Sequence, residues 1–116
     1  MIERNVEISI LCELYKNMLT DKQYMFLDDY YNNDLSLSEI AENNNITRQA
    51  VRDVIKQGEN KLYELEEKLG FLKKQSKQEK QIACIVKKLE KLTNNIENKN
   101  DKKIIKDIIQ QMNKLI

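Results

Sequence analysis

A short segment in the first half of the chain contains two helix-start signals with a turn signal between them. "SLSE" at residues 36–39 has the spacing of a capping box, in which the serine and glutamate side chains accept hydrogen bonds from each other's backbone N–H groups, and it predicts a helix over 37–43. Thr47 is a second N-cap signal, which predicts a helix over 48–69. Because a turn of three or four residues separates the two helices, residues 36–57 have helix-turn-helix spacing.

The residues around this turn have the sizes and conformational preferences that such a motif requires. The three asparagines at 43–45 suit a tight turn, because asparagine tolerates the left-handed backbone conformation better than most residues with a side chain. Ala41 is small enough for two helices to cross closely, and Asn45 lies where the left-handed residue is expected. Ile46 and Val51 supply apolar side chains after the turn. We therefore expect the segment to fold as this motif.

The second predicted helix carries two of the chain's three arginines on one face. When its apolar side chains point inward, Arg48, Gln49, Arg52, Asp53 and Lys56 point outward on one face. Both arginines lie on the surface that a recognition helix places in the major groove of DNA. There, arginine can form two hydrogen bonds with guanine, and glutamine can bond adenine. Thr47, at the start of the helix, is expected to contact a phosphate.

Charge is distributed unevenly along the chain. Residues 1–47 contain three basic and nine acidic side chains, whereas residues 48–116 contain seventeen basic and ten acidic ones. A single motif of this charge should bind DNA weakly, because phosphate neutralisation supplies much of the affinity, so a dimer or help from the basic C-terminal part would be needed. Another interpretation of the basic helix is a solvated face in which Asp53 pairs with Lys56.

Helical patterns continue on both sides of the motif, in a chain with no proline and two glycines. Apolar residues at helical spacing predict a first helix over 3–19, and the capping-box sequence "TDKQ" opens a second helix over 21–32. Gly58 lowers the stability of its helix by about 1 kcal/mol relative to alanine and allows a kink there. The sequence therefore predicts an all-α protein.

From Lys73 the sequence becomes rich in lysine and contains no aromatic residue. Apolar residues spaced three and four apart over 82–96, a polar loop over 97–101 and an apolar pattern over 104–116 predict two amphipathic helices. A short connection between such helices suits an antiparallel pair, and the alternative is that they cover the first helix or a second subunit.

We accordingly expect a helix-turn-helix domain over residues 1–72 and a lysine-rich helical extension over 73–116. The extension has two interpretations: a hairpin with solvated lysines, or a site for RNA phosphates or an acidic partner. Four lysines that cluster within two helical turns are the candidate polyanion contacts: Lys73, Lys74, Lys77 and Lys80.

Enzymes, metal proteins and membrane-spanning proteins each need residues that the sequence lacks. It has no histidine, no glycine-rich phosphate loop and no pair of carboxylates on an apolar face, so we predict a non-enzyme without cofactor or metal. No stretch approaches the ~20 apolar residues of a membrane span, and the N-terminus lacks a signal-peptide pattern, so we expect a cytoplasmic protein.

Cys12 and Cys84 fall on apolar stripes, which predicts buried free thiols. The helical spacing of Tyr24, Tyr30 and Tyr31 predicts core or interface positions.

Several stretches together resemble a known family. They are the start "LTDKQ" at 19–23, the tyrosine pair at 30–31, "DLSLSEIAE" at 34–42, "TRQAV" at 47–51 and "LEEKLGFL" at 65–72. In this combination, residues 19–72 resemble the YlxM-like family of small bacterial helix-turn-helix proteins, which are themselves similar to region 4 of sigma factors.

The resemblance implies an all-α, sigma-region-4-like helix-turn-helix protein with a C-terminal helical extension. It also implies a non-catalytic, dimeric protein that acts with the signal recognition particle pathway. Two functions are compatible with it. The first is regulatory binding of DNA or RNA through the outward face of residues 47–56. The second is a protein adaptor that contacts the GTPase of the signal recognition particle and does not read DNA.

Overall fold

The structure, a computed structural model, describes residues 3–116. Over that range the chain forms six α-helices, one 3-10 turn and no strand, which confirms the all-α prediction. The helices are α1 (Arg4–Leu14), α2 (Asp21–Tyr31), α3 (Leu37–Asn44), α4 (Arg48–Leu69), α5 (Phe71–Asn94) and α6 (Lys99–Asn113), with the 3-10 turn at Lys16–Met18 between α1 and α2.

The helices form two compact units that divide between Leu72 and Lys73. The first unit contains α1 to α4 and the first two residues of α5, and the second contains the remainder of α5 and α6. No helix within residues 3–116 combines the length and the apolar composition needed to cross a membrane.

Side-chain caps start α2 and α3 where the sequence predicts them. The Thr20 hydroxyl oxygen accepts from the backbone N–H of Gln23 at 3.1 Å, and the Gln23 side chain accepts from the Thr20 N–H at 3.1 Å. Ser36 and Glu39 form the same reciprocal pair, at 3.1 and 3.2 Å. Each box satisfies N–H groups that a helix start would otherwise leave without a partner.

One hydrophobic core holds the four helices of the first unit together. Its centre is supplied by Ile8, Leu11 and Cys12 of α1, Phe26 and Leu27 of α2, Ile40 and Ala41 of α3, and Val51, Ile55 and Leu62 of α4, joined by Tyr15 and Leu19. Burying one such aliphatic or aromatic side chain contributes about 1.5–3 kcal/mol. The core therefore fixes α3 and α4, which carry the motif, against α1 and α2.

The predicted first helix is too long, because α1 ends at Leu14. The 3-10 turn that follows has about three residues per turn and changes the direction in which successive side chains point. Tyr15 and Leu19, on either side of this turn, are both buried, whereas Met18 is 52% exposed.

The start of α5 is capped by residues far away in sequence. Gly70 ends α4 in the left-handed conformation (φ 64°). The Tyr15 hydroxyl donates to Glu66 Oε1 at 2.7 Å and accepts from the Phe71 N–H at 3.2 Å, while Glu66 Oε1 also accepts from the Leu72 N–H at 3.0 Å. Burial and, next, this bond to Glu66 raise the pKa of Tyr15. These bonds satisfy the first N–H groups of α5 without an N-cap side chain of its own.

Helix α4 continues through Gly58, which the sequence had marked as a place for a kink. Gly58 is buried, and a Cβ there would lie 2.8 Å from Leu27 Cδ1 and 3.4 Å from Leu27 Cγ. The missing side chain therefore lets α2 approach α4 closely.

We expect Gly58→Ala to lower the free energy of unfolding by about 1 kcal/mol. The methyl group should improve helix propensity by about 1 kcal/mol, but packing against the buried Leu27 should cost about 1–3 kcal/mol. Urea unfolding followed by circular dichroism measures the difference. In a Leu27→Ala background the same change should stabilise the protein, because the obstructing side chain is gone. Stabilisation by Gly58→Ala in the wild-type background would contradict this explanation.

The second unit buries little apolar surface. Val86 of α5 and Ile105 of α6 are its buried residues. By contrast, several apolar side chains of α5 and α6 are exposed: Ile85, Leu92, Ile104 and Ile108. The predicted loop over 97–101 is too long, because Asn98 accepts hydrogen bonds from the Asn100 and Asp101 N–H groups and α6 starts at Lys99.

The two cysteines differ in environment. Cys12 is a buried free thiol, as predicted, and burial raises its pKa to about 11. The prediction for Cys84 is wrong, because this thiol is exposed. Val86, two positions further on, is buried, and two residues correspond to about 200° around an α-helix. Cys84 therefore lies on nearly the opposite side of α5 from the side that is covered.

Candidate nucleic-acid interface

Helices α3 and α4 form the helix-turn-helix, and the residues of the turn adopt the expected conformations. Asn45 is left-handed (φ 53°, ψ 42°), and the Ile46 N–H donates to the Ala41 carbonyl at 3.1 Å. Ala41 is 6% exposed and Val51 is fully buried, so the small residue and the apolar residue both lie in the core. Local signals in the sequence therefore sufficed to predict this turn.

The exposed face of α4 carries a row of three cations: Arg48, Arg52 and Lys56. We call these three residues the basic row. Residues four apart on a helix have Cβ atoms about 5–6 Å from each other, so the members are neighbours along one face. All three side chains are exposed, and within residues 3–116 none of them forms an ion pair or a hydrogen bond.

Like charges four residues apart destabilise a helix by about 0.2–0.5 kcal/mol per pair. The basic row contains two such pairs, and none of its members forms an ion pair among the described residues. An anion bound along the row would relieve this repulsion, and a polyanion with regularly spaced charges would relieve it at several positions at once.

Gln49 and Asp53 bond to each other on the same helix. The Gln49 side-chain amide donates to Asp53 Oδ1 at 3.0 Å. Asp53 forms no ion pair with Lys56 among residues 3–116, and Gln49, one turn earlier, is its hydrogen-bond partner. The bond uses one of the two N–H donors of the Gln49 amide, so the other donor and the amide oxygen stay available to an adenine edge.

Thr47 is the N-cap of α4, as predicted. Its hydroxyl oxygen accepts from the Ala50 N–H at 3.0 Å. The hydroxyl hydrogen is a donor that this bond does not use, and the side chain is exposed at a helix N-terminus. The geometry suits a phosphate oxygen at this end of the basic row.

A groove of ≈ 410 Å³ lies beside the basic row, and we call it the tyrosine groove. Arg52, Lys56 and Ile55 of α4 form one side. The other lining residues are Arg4 and Asn5 of α1, Tyr30 and Tyr31 of α2, Leu37 of α3 and Glu59 of α4. Helices α1 to α4 all contribute to it, so its shape depends on the core of the first unit.

Within the tyrosine groove, Glu59 already has two partners. Arg4 Nη2 lies 3.3 Å from Glu59 Oε2, and the Tyr31 hydroxyl donates to Glu59 Oε1. The nearby Glu59 carboxylate raises the pKa of Arg4, and burial, followed by the bond to Glu59, raises the pKa of Tyr31. The charge of Glu59 is thus compensated by Arg4, whereas Arg52 and Lys56 keep their positive charges.

The three tyrosines of α2 differ in their exposure, although their helical spacing predicts similar positions for all of them. Tyr24 and Tyr31 are half-buried and pack against the core. The hydrogen bond that Tyr24 donates to Glu13 at 2.6 Å, together with burial, raises the pKa of Tyr24 to about 12. Tyr30 is 39% exposed, so it does not lie in the core of the single chain, and the alternative of an interface position stays a prediction.

Reasoning from the sequence missed the part of this groove that α1 contributes. Arg4 is the third arginine of a chain that otherwise uses lysine, and it lines the same groove as Arg52. The rarity of arginine was the available signal. Bringing Arg4 to α4 depends on long-range packing, which spacing along the sequence does not reveal.

The lysines of the extension are a separate group. Lys73, Lys74, Lys77 and Lys80 are all exposed on α5, in the second unit. Their spacing puts them within two turns of one helix, which forms a local concentration of positive charge.

Comparison with known proteins agrees with this architecture. The UPF0122 family, described as "Putative helix-turn-helix protein, YlxM / p13 like", matches residues 2–115. A UPF0122 protein of Fusobacterium nucleatum is 40% identical over 109 residues, covering 94% of this chain and 99% of that protein. UPF0122 proteins of Acetivibrio thermocellus and Bacillus cereus are 36% and 37% identical over 115 residues, covering 99% of this chain and 98% and 99% of theirs. The chain therefore belongs to the UPF0122 family of YlxM / p13-like helix-turn-helix proteins.

Proposed function

We propose that this protein is a non-catalytic regulatory protein that binds nucleic acid through the exposed face of α4. The observation that carries the proposal is the basic row on the second helix of the helix-turn-helix, with three exposed cations and no carboxylate partner among residues 3–116. In helix-turn-helix proteins this helix presents its outer side chains to the nucleic acid.

Each residue of this face has a chemical role in the proposal. Arg48 and Arg52 bond guanine edges or phosphates, since the guanidinium group matches both geometries. Lys56 neutralises a phosphate. Thr47, at the start of α4, donates its hydroxyl hydrogen to a phosphate oxygen of the nucleic acid. Gln49 contacts a base edge with its amide oxygen and with the N–H donor that Asp53 does not use.

We further propose that the second unit assists this binding. Residues 1–72 are the binding domain in this proposal, and residues 73–116 are an extension whose two helices form an antiparallel pair. Four lysines of this extension contact phosphates: Lys73, Lys74, Lys77 and Lys80. Their charges add to the electrostatic attraction of the basic row. The resemblance to YlxM-like proteins suggests the signal recognition particle pathway as the setting, in the cytoplasm, where the two free cysteines stay reduced.

A second candidate is an adaptor that contacts the GTPase of the signal recognition particle. The acidic character of residues 1–47 favours it, because nine acidic side chains against three basic ones repel phosphates near the motif. In this case the helix-turn-helix is a scaffold, and the basic row contacts acidic groups of a protein.

The two candidates separate in parallel titrations. Purified protein is titrated against duplex DNA, the RNA of the particle and its GTPase, each at low and at physiological salt. Binding of either nucleic acid that weakens steeply with salt would support the first candidate, because released counterions make phosphate contacts salt-dependent. Binding of the GTPase with no measurable binding of DNA or RNA at low salt would exclude it and support the adaptor.

We also propose that the protein is a homodimer. Ile85 and Leu92 of α5, and Ile104 and Ile108 of α6, are each 39% to 59% exposed in the single chain, which is a large apolar surface for helices of this length. Light scattering at micromolar concentration should give twice the chain mass of 13.8 kDa. A monomer mass under those conditions would reject the dimer, and nucleic-acid binding would then have to come from one motif per molecule.

A further inference from the structure

The tyrosine groove combines a positive edge with an exposed aromatic ring. Arg52 and Lys56 belong both to the basic row and to the wall of the groove, so a strand that lies on the row passes its opening. Tyr30 lines the same groove and is 39% exposed. Its ring contacts that of Tyr31, with centroids 5.0 Å apart and planes at 89°. This contact holds the Tyr30 ring in place while leaving part of it uncovered.

The polar groups of the groove also suit a nucleotide. Glu59, its acidic residue, is held by Arg4 and by the Tyr31 hydroxyl, so the groove retains the positive charges of Arg52 and Lys56. Asn5 adds a side-chain amide, which can both donate to and accept from the edge of a base. The groove volume of ≈ 410 Å³ lies in the range of about 300–1,000 Å³ that small-molecule sites occupy.

The groove continues beyond the tyrosines on two sides. A depression of ≈ 310 Å³ shares Asn5, Tyr30 and Tyr31 with it and extends to Ser36. Another, of ≈ 220 Å³, shares Asn5 and Tyr31 and extends along α1 to Ser9. A ligand in the tyrosine groove can therefore be part of a longer chain, because the surface does not close around a single small molecule.

We propose that the tyrosine groove binds one unpaired base of a single-stranded or looped nucleic acid, with the base against Tyr30 and the adjoining phosphates on Arg52 and Lys56. This inference rests on the proposed nucleic-acid binding and names its substrate class. A paired base cannot occupy the groove, because its faces are covered by its neighbours in the duplex. An unpaired base exposes a π-face, and any base can stack on an aromatic side chain.

The test compares two single strands that carry the same charge. One is a short oligonucleotide with all its bases, and the other is a strand of equal length in which every nucleotide is abasic. The wild-type protein should bind the intact strand about tenfold more tightly, since stacking on an aromatic ring contributes on this scale. Tyr30→Ala should weaken binding of the intact strand about tenfold and leave binding of the abasic strand unchanged, whereas Tyr30→Phe should retain wild-type affinity. DNA and RNA versions of both strands show which sugar is preferred.

Two control variants separate this inference from the proposed function. Arg48→Ala removes a charge from the basic row outside the groove, so it should weaken binding of both strands equally. Met25→Ala removes another exposed side chain of α2 and should change neither, and circular dichroism checks that each variant is folded. Equal affinity of the wild type for the two strands, or an equal effect of Tyr30→Ala on both, would overturn the inference while leaving the basic row intact. Binding of neither strand, with duplex DNA still bound in the titrations above, would overturn the inference alone, whereas binding of no nucleic acid at all would overturn the proposed function as well.

Discussion

The Arg48→Ala/Arg52→Ala double variant is expected to bind nucleic acid at least about 30-fold more weakly than the wild type. An arginine that contacts a guanine edge or a phosphate contributes about 1–3 kcal/mol, so losing two of them should cost about 2 kcal/mol or more. Both side chains are exposed and form no bond within residues 3–116, so their removal should leave the fold intact. Fluorescence anisotropy with a labelled RNA or duplex measures the change.

The matched control is Lys61→Ala/Lys68→Ala. It removes the same amount of charge from the same helix, and both lysines are exposed beyond the helix-turn-helix. Lys68 forms an exposed ion pair with Glu64 at 3.0 Å, which contributes little to stability. We expect this control to weaken binding only slightly, through the change in overall charge. Equal losses in the two double variants would mean that net charge alone governs binding and that the basic row has no special role.

Phe26→Ala is expected to lower the free energy of unfolding by about 3–5 kcal/mol, because it removes a fully buried ring and leaves a cavity. Small domains are stable by about 5–15 kcal/mol in total, so this single change should remove a large part of that stability. Phe26 packs in the core that joins the four helices of the first unit. Urea unfolding should therefore show a much lower midpoint, together with weaker nucleic-acid binding at 37 °C as the motif loses its support.

Met25→Ala, at the next position of α2, is the control for this prediction. Met25 is 45% exposed, and substitutions at such positions usually change stability by less than about 0.5 kcal/mol. A loss of less than about 1 kcal/mol in Phe26→Ala would show that α2 is not packed on the core as described.

The helix-turn-helix could be predicted from sequence because the interactions that define it are local. The capping boxes at Thr20 and Ser36 and the N-cap at Thr47 join residues three positions apart, and the left-handed Asn45 follows from its own side-chain type. Each of these signals lies within a few residues of the feature that it determines.

Features that depend on distant residues were missed or misjudged. The end of α1 and the cap of α5 both involve Tyr15, whose hydroxyl bonds the backbone of Phe71, 56 positions away. Arg4 reaches Glu59 across 55 positions, and that contact completes the tyrosine groove. Spacing along a helix shows which residues share a face, but it does not show which other helix that face meets.

The exposure of Cys84 has a related cause. An apolar stripe predicts a buried face only if something covers it, and in the second unit only one side of α5, at Val86, is covered within the described residues. The apolar positions that remain exposed on α5 and α6 are those on which the proposed dimer depends.

The central claim is that the exposed face of α4 is the surface that binds nucleic acid. The most direct test is to titrate isotope-labelled wild-type protein with RNA or duplex DNA and to follow every backbone amide by NMR. We predict that the largest shifts occur over residues 47–56 and in the wall of the tyrosine groove at Tyr30 and Tyr31. Shifts confined to residues 73–116, with the amides of 47–56 unmoved, would contradict the account, because the lysine-rich extension would then bind without the helix-turn-helix.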